Sequence, residues 1–155
     1  MKTEIIEVRT GSREGVFDLT SECEQFVTNA ARDAATNAAT KAATIPAAGG
    51  ATSDGLLHVF VPHATAGLVV MELGASSDRD LLAVLAEVLP ADDRWQHAHG
   101  SRGHGRSHVL PAFLPPYATI PVVNGRLALG TWQSIALVDL NVDNHVRQVR
   151  LSFFN

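Results

Sequence analysis

The run A-T-I-P-V-V-N-G-R-L-A-L, residues 118–129, decides how the chain is read. Asn124-Gly125 is the strongest short hairpin signal in a sequence, because both residues tolerate the positive φ that a two-residue turn between strands demands. Residues 118–123 therefore read as a strand and 126–129 as its partner. Downstream, G-T-W-Q at 130–133 leads into the strand I-A-L-V-D-L at 135–140. A turn at 142–145 and a last alternating strand at 146–154 follow. Upstream, L-L-H-V-F-V at 56–61 is a strand interrupted by P-H-A-T-A-G, and L-V-V-M-E-L at 68–73 resumes extended structure. At the start, residues 3–10 and 14–19 read as strands about a Gly11-Ser12-Arg13 turn.

Two helices interrupt these strands. Thr20 and Ser21 offer N-cap hydroxyls, Glu24 completes a capping-box pattern, and Cys23, Phe26, Val27, Ala30 and Ala34 recur at helical spacing. The spacing predicts a helix from about 21 to about 42, with an alanine-rich extension or loop over about 30–52 that Pro46, Gly49 and Gly50 end. Ser76-Ser77-Asp78 caps a second helix with a stripe of Leu81, Leu82, Leu85, Val88 and Leu89, and Pro90 stops it. V-L-P-A-F-L at 109–114 is a candidate short third helix. Seven or eight strands that do not alternate regularly with two or three helices predict an α+β fold. Its sheet should be mostly antiparallel and sandwich-like, in one domain spanning 1–155.

Composition narrows the function. The chain has 155 residues, 46% apolar and 18% charged, the balance of a soluble globular domain with a real core. A net charge of −4 argues against a nucleic-acid partner. The absence of an apolar run of about 18 residues argues against a membrane span. The N-terminus lacks the layout of a secretory signal. Cys23 is the one cysteine, so a reducing cytoplasm is the expected compartment and a buried, inert thiol the expected state.

The chemistry gathers at H-A-H-G-S-R-G-H-G-R-S-H, residues 97–108, which holds four of the seven histidines. The segment is too polar for a core, and Gly100, Gly103 and Gly105 keep its start from being a regular element. Neutral imidazole is a borderline-soft ligand suited to zinc-like ions, so such a loop can wrap a cation; it can equally be solvated. His63 sits at a strand corner, where scaffolds present functional side chains. His58, within a strand, reads as packed. Glu72 in an apolar strand is a costly carboxylate unless paired, ligated or on a wet face. Asp80 falls in the first turn of the second helix, where a carboxylate also suits the helix end.

P-H-A-T-A-G-L at 62–68, Glu72, His97, S-H-V at 107–109 and, above all, T-I-P-V-V-N-G-R-L-A-L-G-T-W-Q at 119–133 resemble the YjbQ family, the secondary thiamine-phosphate synthase enzymes, over roughly residues 55–153. The resemblance implies a divalent-metal site at His63, His97 and His108, zinc-like by its ligands, with Mg²⁺ as the alternative. It places Glu72, Asp80, Trp132, Gln133 and Arg147 nearby. It also implies a homotrimer and a transferase that joins a pyrimidine-methyl diphosphate to a thiazole phosphate. For that reaction Arg102, Arg106 and Arg147 are candidates for phosphate contact and Trp132 and Tyr117 for stacking on a heteroaromatic ring, with solvated arginines and core aromatics as the alternatives. A metal-dependent hydrolase of a small substrate and a non-catalytic metal-binding protein are the competing readings. Ala64, Met71, Pro115-Pro116 and Asn144 depart from the family pattern.

Overall fold

The turn at Asn124-Gly125 closes as its sequence requires, with φ of 53° and 72° at its two residues. In this computed structural model, which describes residues 1–42 and 53–155, that turn joins β5 (Tyr117–Val123) to β6 (Arg126–Leu127) as an antiparallel hairpin. The other elements are β1 (Lys2–Arg9), β2 (Gly15–Asp18), α1 (Thr20–Ala42), β3 (Gly55–Phe60) and β4 (Ala66–Met71). They continue with α2 (Ser77–Val88), α3 (His104–Val109), a 3₁₀ turn at Leu110–Ala112, β7 (Ser134–Asp139) and β8 (Val146–Phe154). The last ten residues of the alanine-rich stretch, 43–52, lie outside the described residues.

The strands form a five-stranded sheet in the order β1-β8-β3-β5-β6 and a three-stranded sheet in the order β2-β7-β4. Every described ladder is antiparallel, so the fold is α+β with two antiparallel sheets. Period-two alternation decides what each strand buries. In β8, Val149, Leu151 and Phe153 enter the core, beside Leu57 and Val59 of β3 and Ile120 and Val122 of β5. They meet Ile135 and Leu137 of β7 and, from α1, Cys23, Phe26, Val27 and Ala30. Each such apolar side chain stabilises the fold by roughly 1.5–3 kcal/mol relative to exposure. On the other side of the small sheet, Val138 packs with Leu85, Leu89, Leu110 and Leu140 in a second cluster that seats α2 and the start of the site.

Three local expectations change. The α1 capping box does not form: Asp18 Oδ1 accepts the Thr20 N–H at 2.8 Å and the Thr20 hydroxyl at 2.6 Å. Glu24 instead accepts the Leu127 N–H at 3.1 Å, tying the helix to the hairpin. The Asp18 carboxylate accepts charge-assisted bonds, which are stronger than those a hydroxyl acceptor would make. Ser76 precedes α2 in a left-handed conformation, φ 75°, without a side-chain cap bond, because the chain turns there through backbone bonds from Ser77 to Gly74 and from Asp80 to Ser76. Val88 is 49% exposed rather than part of the buried stripe. Cys23 is fully buried, and burial pushes its thiol up to about 12, an inert state. Among the described residues no helix is long and apolar enough to cross a membrane.

Candidate functional site

The histidine segment is not an open loop. Its second half is α3, and Gly105 lies inside that helix for a packing reason. A Cβ at residue 105 would stand 2.5 Å from both the His97 carbonyl oxygen and Trp95 Cβ. Only glycine lets the 95–97 strand of chain press onto the helix this closely. Trp95 anchors that strand: its indole N–H donates to the Pro90 carbonyl at 2.9 Å, and its ring packs on the second apolar cluster. His104 and His108, four residues apart, then share one face of α3, and His97 and His99 are laid against them.

The result is a quartet of imidazoles. One ligand nitrogen from each of His97, His99, His104 and His108 lies within 4.8 Å of the other three. The ring centroids of His97–His99 and His97–His108 are each 4.1 Å apart, and those of His99–His104 and His104–His108 each 4.9 Å. His104 Nδ1 is 2.6 Å from Asp143 Oδ2. Asp143 is aimed by the Ser101 N–H at 3.1 Å, which passes Gly100 at φ 81°; a Cβ on Gly100 would lie 2.7 Å from that same oxygen. A carboxylate on one ring nitrogen fixes the tautomer, so His104 Nε2 carries its lone pair toward the centre. His108 Nε2 sits 3.0 Å from it. Two lone pairs at that separation repel unless a proton or a cation lies between them. Nitrogens bound to one four-coordinate zinc are roughly 3.3 Å apart, given bond lengths of about 2.0–2.1 Å; the His104–His108 pair is near that spacing, and all four ligand nitrogens lie within 4.8 Å of one another.

Electrostatics keep the nitrogens available. Desolvation first, then the neighbouring imidazoles, lowers the pKa of both His97 and His108. Hydrogen bonding from the Ser101 backbone, with His104 beside it, holds Asp143 below the usual carboxylate range. For a histidine whose folded pKa lies beneath its ordinary 6.5, the unfolded chain binds more protons in the interval between the two values. Stability there rises with pH and falls as pH drops through it. The metal-free protein is expected to melt at a lower temperature at pH 5.5 than at pH 7.5. His108→Gln should shrink that difference; an unchanged difference would contradict the assignment.

The other residues singled out in the sequence lie elsewhere. His63 is outside the quartet: its Nε2 accepts the Gln148 N–H at 2.9 Å, which engages the lone pair a metal would need. Burial first, and then Arg147, lowers its pKa. His58 is a strand residue, 3.0 Å from the Thr119 hydroxyl through Nδ1 and stacked on Tyr117. Glu72 is exposed, one residue beyond β4, so its charge carries no burial penalty. Asp80 is exposed in the first turn of α2. Gln133 folds back so that its Oε1 accepts the Gly130 N–H at 2.8 Å, at the edge of a cleft of about 640 Å³ between α1 and the β5–β6 hairpin. Trp132, beside it, is 73% exposed.

Two of the three arginines expected at a phosphate are committed internally. Arg147 makes a bidentate, buried pair with Asp139, at 2.6 and 3.0 Å. Arg106 is buried against Glu14 and donates to the Leu89 carbonyl at 2.9 Å. Arg102 is exposed, 3.5 Å from Asp93. Sequence reasoning did not assign His99, His104 or Asp143. The H-x-H and H-x₃-H spacings carried the signal for the histidines, but a glycine within the second obscured the helix. Nothing local marks Asp143, which reaches the site from 39 residues away in sequence.

Against this geometry, the family described as UPF0047 protein, YjbQ-like, matches residues 36–155. The chain is 48% identical over 153 residues to the UPF0047 protein Rv2556c of Mycobacterium tuberculosis, covering 99% of this chain and 98% of the relative. It is 29% identical over 134 residues to the UPF0047 protein YugU of Bacillus subtilis, covering 84% and 83%. The crystal structure of the hypothetical protein APE1520 from Aeropyrum pernix K1 superposes with a TM-score of 0.78 at 28% identity, covering 100% of this chain and 99% of that one. A family match over residues 36–155, which hold the histidine segment and the hairpin, and a relative 48% identical across 99% of the chain leave one conclusion: the chain belongs to the YjbQ-like UPF0047 family.

Proposed function

We propose that the chain is a metal-dependent enzyme whose ion is held by His97, His99, His104 and His108, and that it carries thiamine-phosphate synthase activity. The observation that carries the metal reading is the quartet backed by Asp143 on His104. An all-imidazole set favours zinc-like ions over Mg²⁺, which prefers carboxylates, waters and phosphates. When bound, a divalent cation supplies Lewis-acid charge, to a departing diphosphate in a transferase or to an attacking water in a hydrolase. In the transfer, the bond from the pyrimidine-methyl carbon to the diphosphate oxygen breaks and its electrons leave with diphosphate. The thiazole nitrogen donates the pair for the new carbon–nitrogen bond. Asp143 orients His104, and Arg102 is the exposed guanidinium available to the anion. Hydrolysis of a small phosphorylated substrate is the second reading, favoured by the commitment of Arg106 and Arg147 to internal pairs. The working unit on this reading is a cytoplasmic homotrimer. The outward face of the five-stranded sheet supports self-association, since Leu56, Tyr117, Val123 and Phe154 are exposed on it.

The test is thiamine-phosphate formation from the two precursors by purified protein, before and after chelation and with zinc restored. The expected result is product that disappears on chelation and returns with zinc. Equal product in all three samples overturns the metal role. Absence of product, with zinc-dependent release of phosphate from a phosphoester, selects the hydrolase.

A further inference from the structure

We infer that His99 is the closing ligand of this centre: the imidazole that completes the protein's ligand set and that an anionic oxygen ligand displaces. This rests on the proposed metal reading. Three protein ligands suffice for a catalytic site, which keeps a further position for substrate, whereas four protein ligands close a structural site. The quartet has one more imidazole than an open site needs, and its members are held unequally.

His104 and His108 project from a single turn of α3 and are half-buried, and Asp143 holds His104 by its far nitrogen. His97 belongs to the stretch that Trp95 anchors and Gly105 accepts, with its carbonyl packed against the helix and its ring 4.1 Å from His108. His99 has no comparable support. It is exposed, as His97 is, it follows the exposed Ala98, and its ring–ring contacts are with the other three imidazoles, at 4.1, 4.9 and 6.1 Å. Among the described residues nothing fixes its second ring nitrogen. The backbone on its C-terminal side is clamped, because Gly100 lies against His104 and Asp143. Rotation of the His99 side chain therefore opens the centre without moving the chain. A cleft of about 240 Å³ lined by His97, Gly100, Ser101 and His104 carries Arg102 on its rim and gives a phosphate oxygen an approach to the centre; His99 is not among its lining residues. Asp93 and Asp92 also line that cleft. Asp93 faces Arg102, and Asp92 is held by Arg94 at 2.9 and 3.0 Å. An anion must draw Arg102 from Asp93 to bind.

The test uses the full chain loaded with cobalt(II), whose visible absorption reports the ligand set, with azide and inorganic pyrophosphate as probes. Circular dichroism checks that each variant is folded. His99→Ala is expected to bind cobalt within about tenfold of the parent, whereas His104→Ala and His108→Ala lose a hundredfold or more, on the order of the loss of a ligand and its fixed geometry. The His99→Ala spectrum should differ from the parent's and shift saturably with azide. The parent should need at least about tenfold more azide or pyrophosphate for the same shift, since either must first displace the imidazole. Two results overturn the inference while leaving the metal site standing. One is a His99→Ala spectrum identical to the parent's, with equal azide sensitivity. The other is a cobalt affinity for His99→Ala as low as that of His108→Ala. Failure of the parent to bind cobalt overturns the metal reading and this inference with it.

Discussion

Arg147→Ala is expected to lower the free energy of unfolding by about 3–5 kcal/mol, because it leaves a buried carboxylate without its cation. Arg147 is 1% and Asp139 0% exposed, and their two hydrogen bonds fasten β8 of the large sheet to β7 of the small one. Asp139 also accepts the Asn141 N–H at 2.9 Å, and Asn141 in turn accepts the Asp143 N–H at 2.9 Å. The pair thus stands at the root of the turn that carries Asp143 to His104. Replacing both partners by apolar residues of similar volume, Arg147→Met with Asp139→Leu, should recover much of the loss, since the desolvation of both charges disappears together. Urea denaturation of the two variants separates the outcomes. A loss below about 1 kcal/mol for Arg147→Ala would show that water reaches the pair.

His108→Ala is expected to lower zinc affinity at least about a hundredfold and leave the fold intact. The side chain lies on α3 facing the quartet rather than the apolar cluster. Ring removal withdraws one ligand and also the partner 3.0 Å from His104 Nε2. His58→Ala is the matched control: its partners are Thr119 and Tyr117, and zinc affinity should not change. Competition with a chromophoric chelator measures both. Equal affinities for the two variants would remove His108 from the centre.

The architecture was legible where backbone chemistry is local. The positive-φ requirement at Asn124-Gly125 and the alternation of Val149, Leu151 and Phe153 against Gln148 and Arg150 specify a hairpin and an inward face without reference to the rest of the chain. Helix starts were less legible, because a capping pattern names eligible side chains and tertiary contacts choose among them. Glu24 was drawn to Leu127 and Asp18 took its place. At the site, the resemblance indicated His63, His97 and His108, of which the structure brings His97 and His108 together. The sequence could not indicate that Gly105 is a contact surface for His97 and Trp95 rather than a helix breaker, so the roles of His104 and His99 stayed open. Glu72 looked costly because its neighbours are apolar, yet the strand ends at Met71 and its carboxylate meets solvent. His63 is at a corner as expected, but the corner faces Gln148 and Arg147. Which corner meets which segment is set by strand order, and strand order is not written in any one stretch.

The most direct measurement is X-ray absorption at the zinc edge on protein reconstituted with one equivalent of zinc and washed free of excess. The account predicts that zinc is retained, with a first shell of four imidazole nitrogens at about 2.0–2.1 Å that falls to three in His99→Ala. A shell made mainly of oxygen, or zinc that washes away, would contradict it.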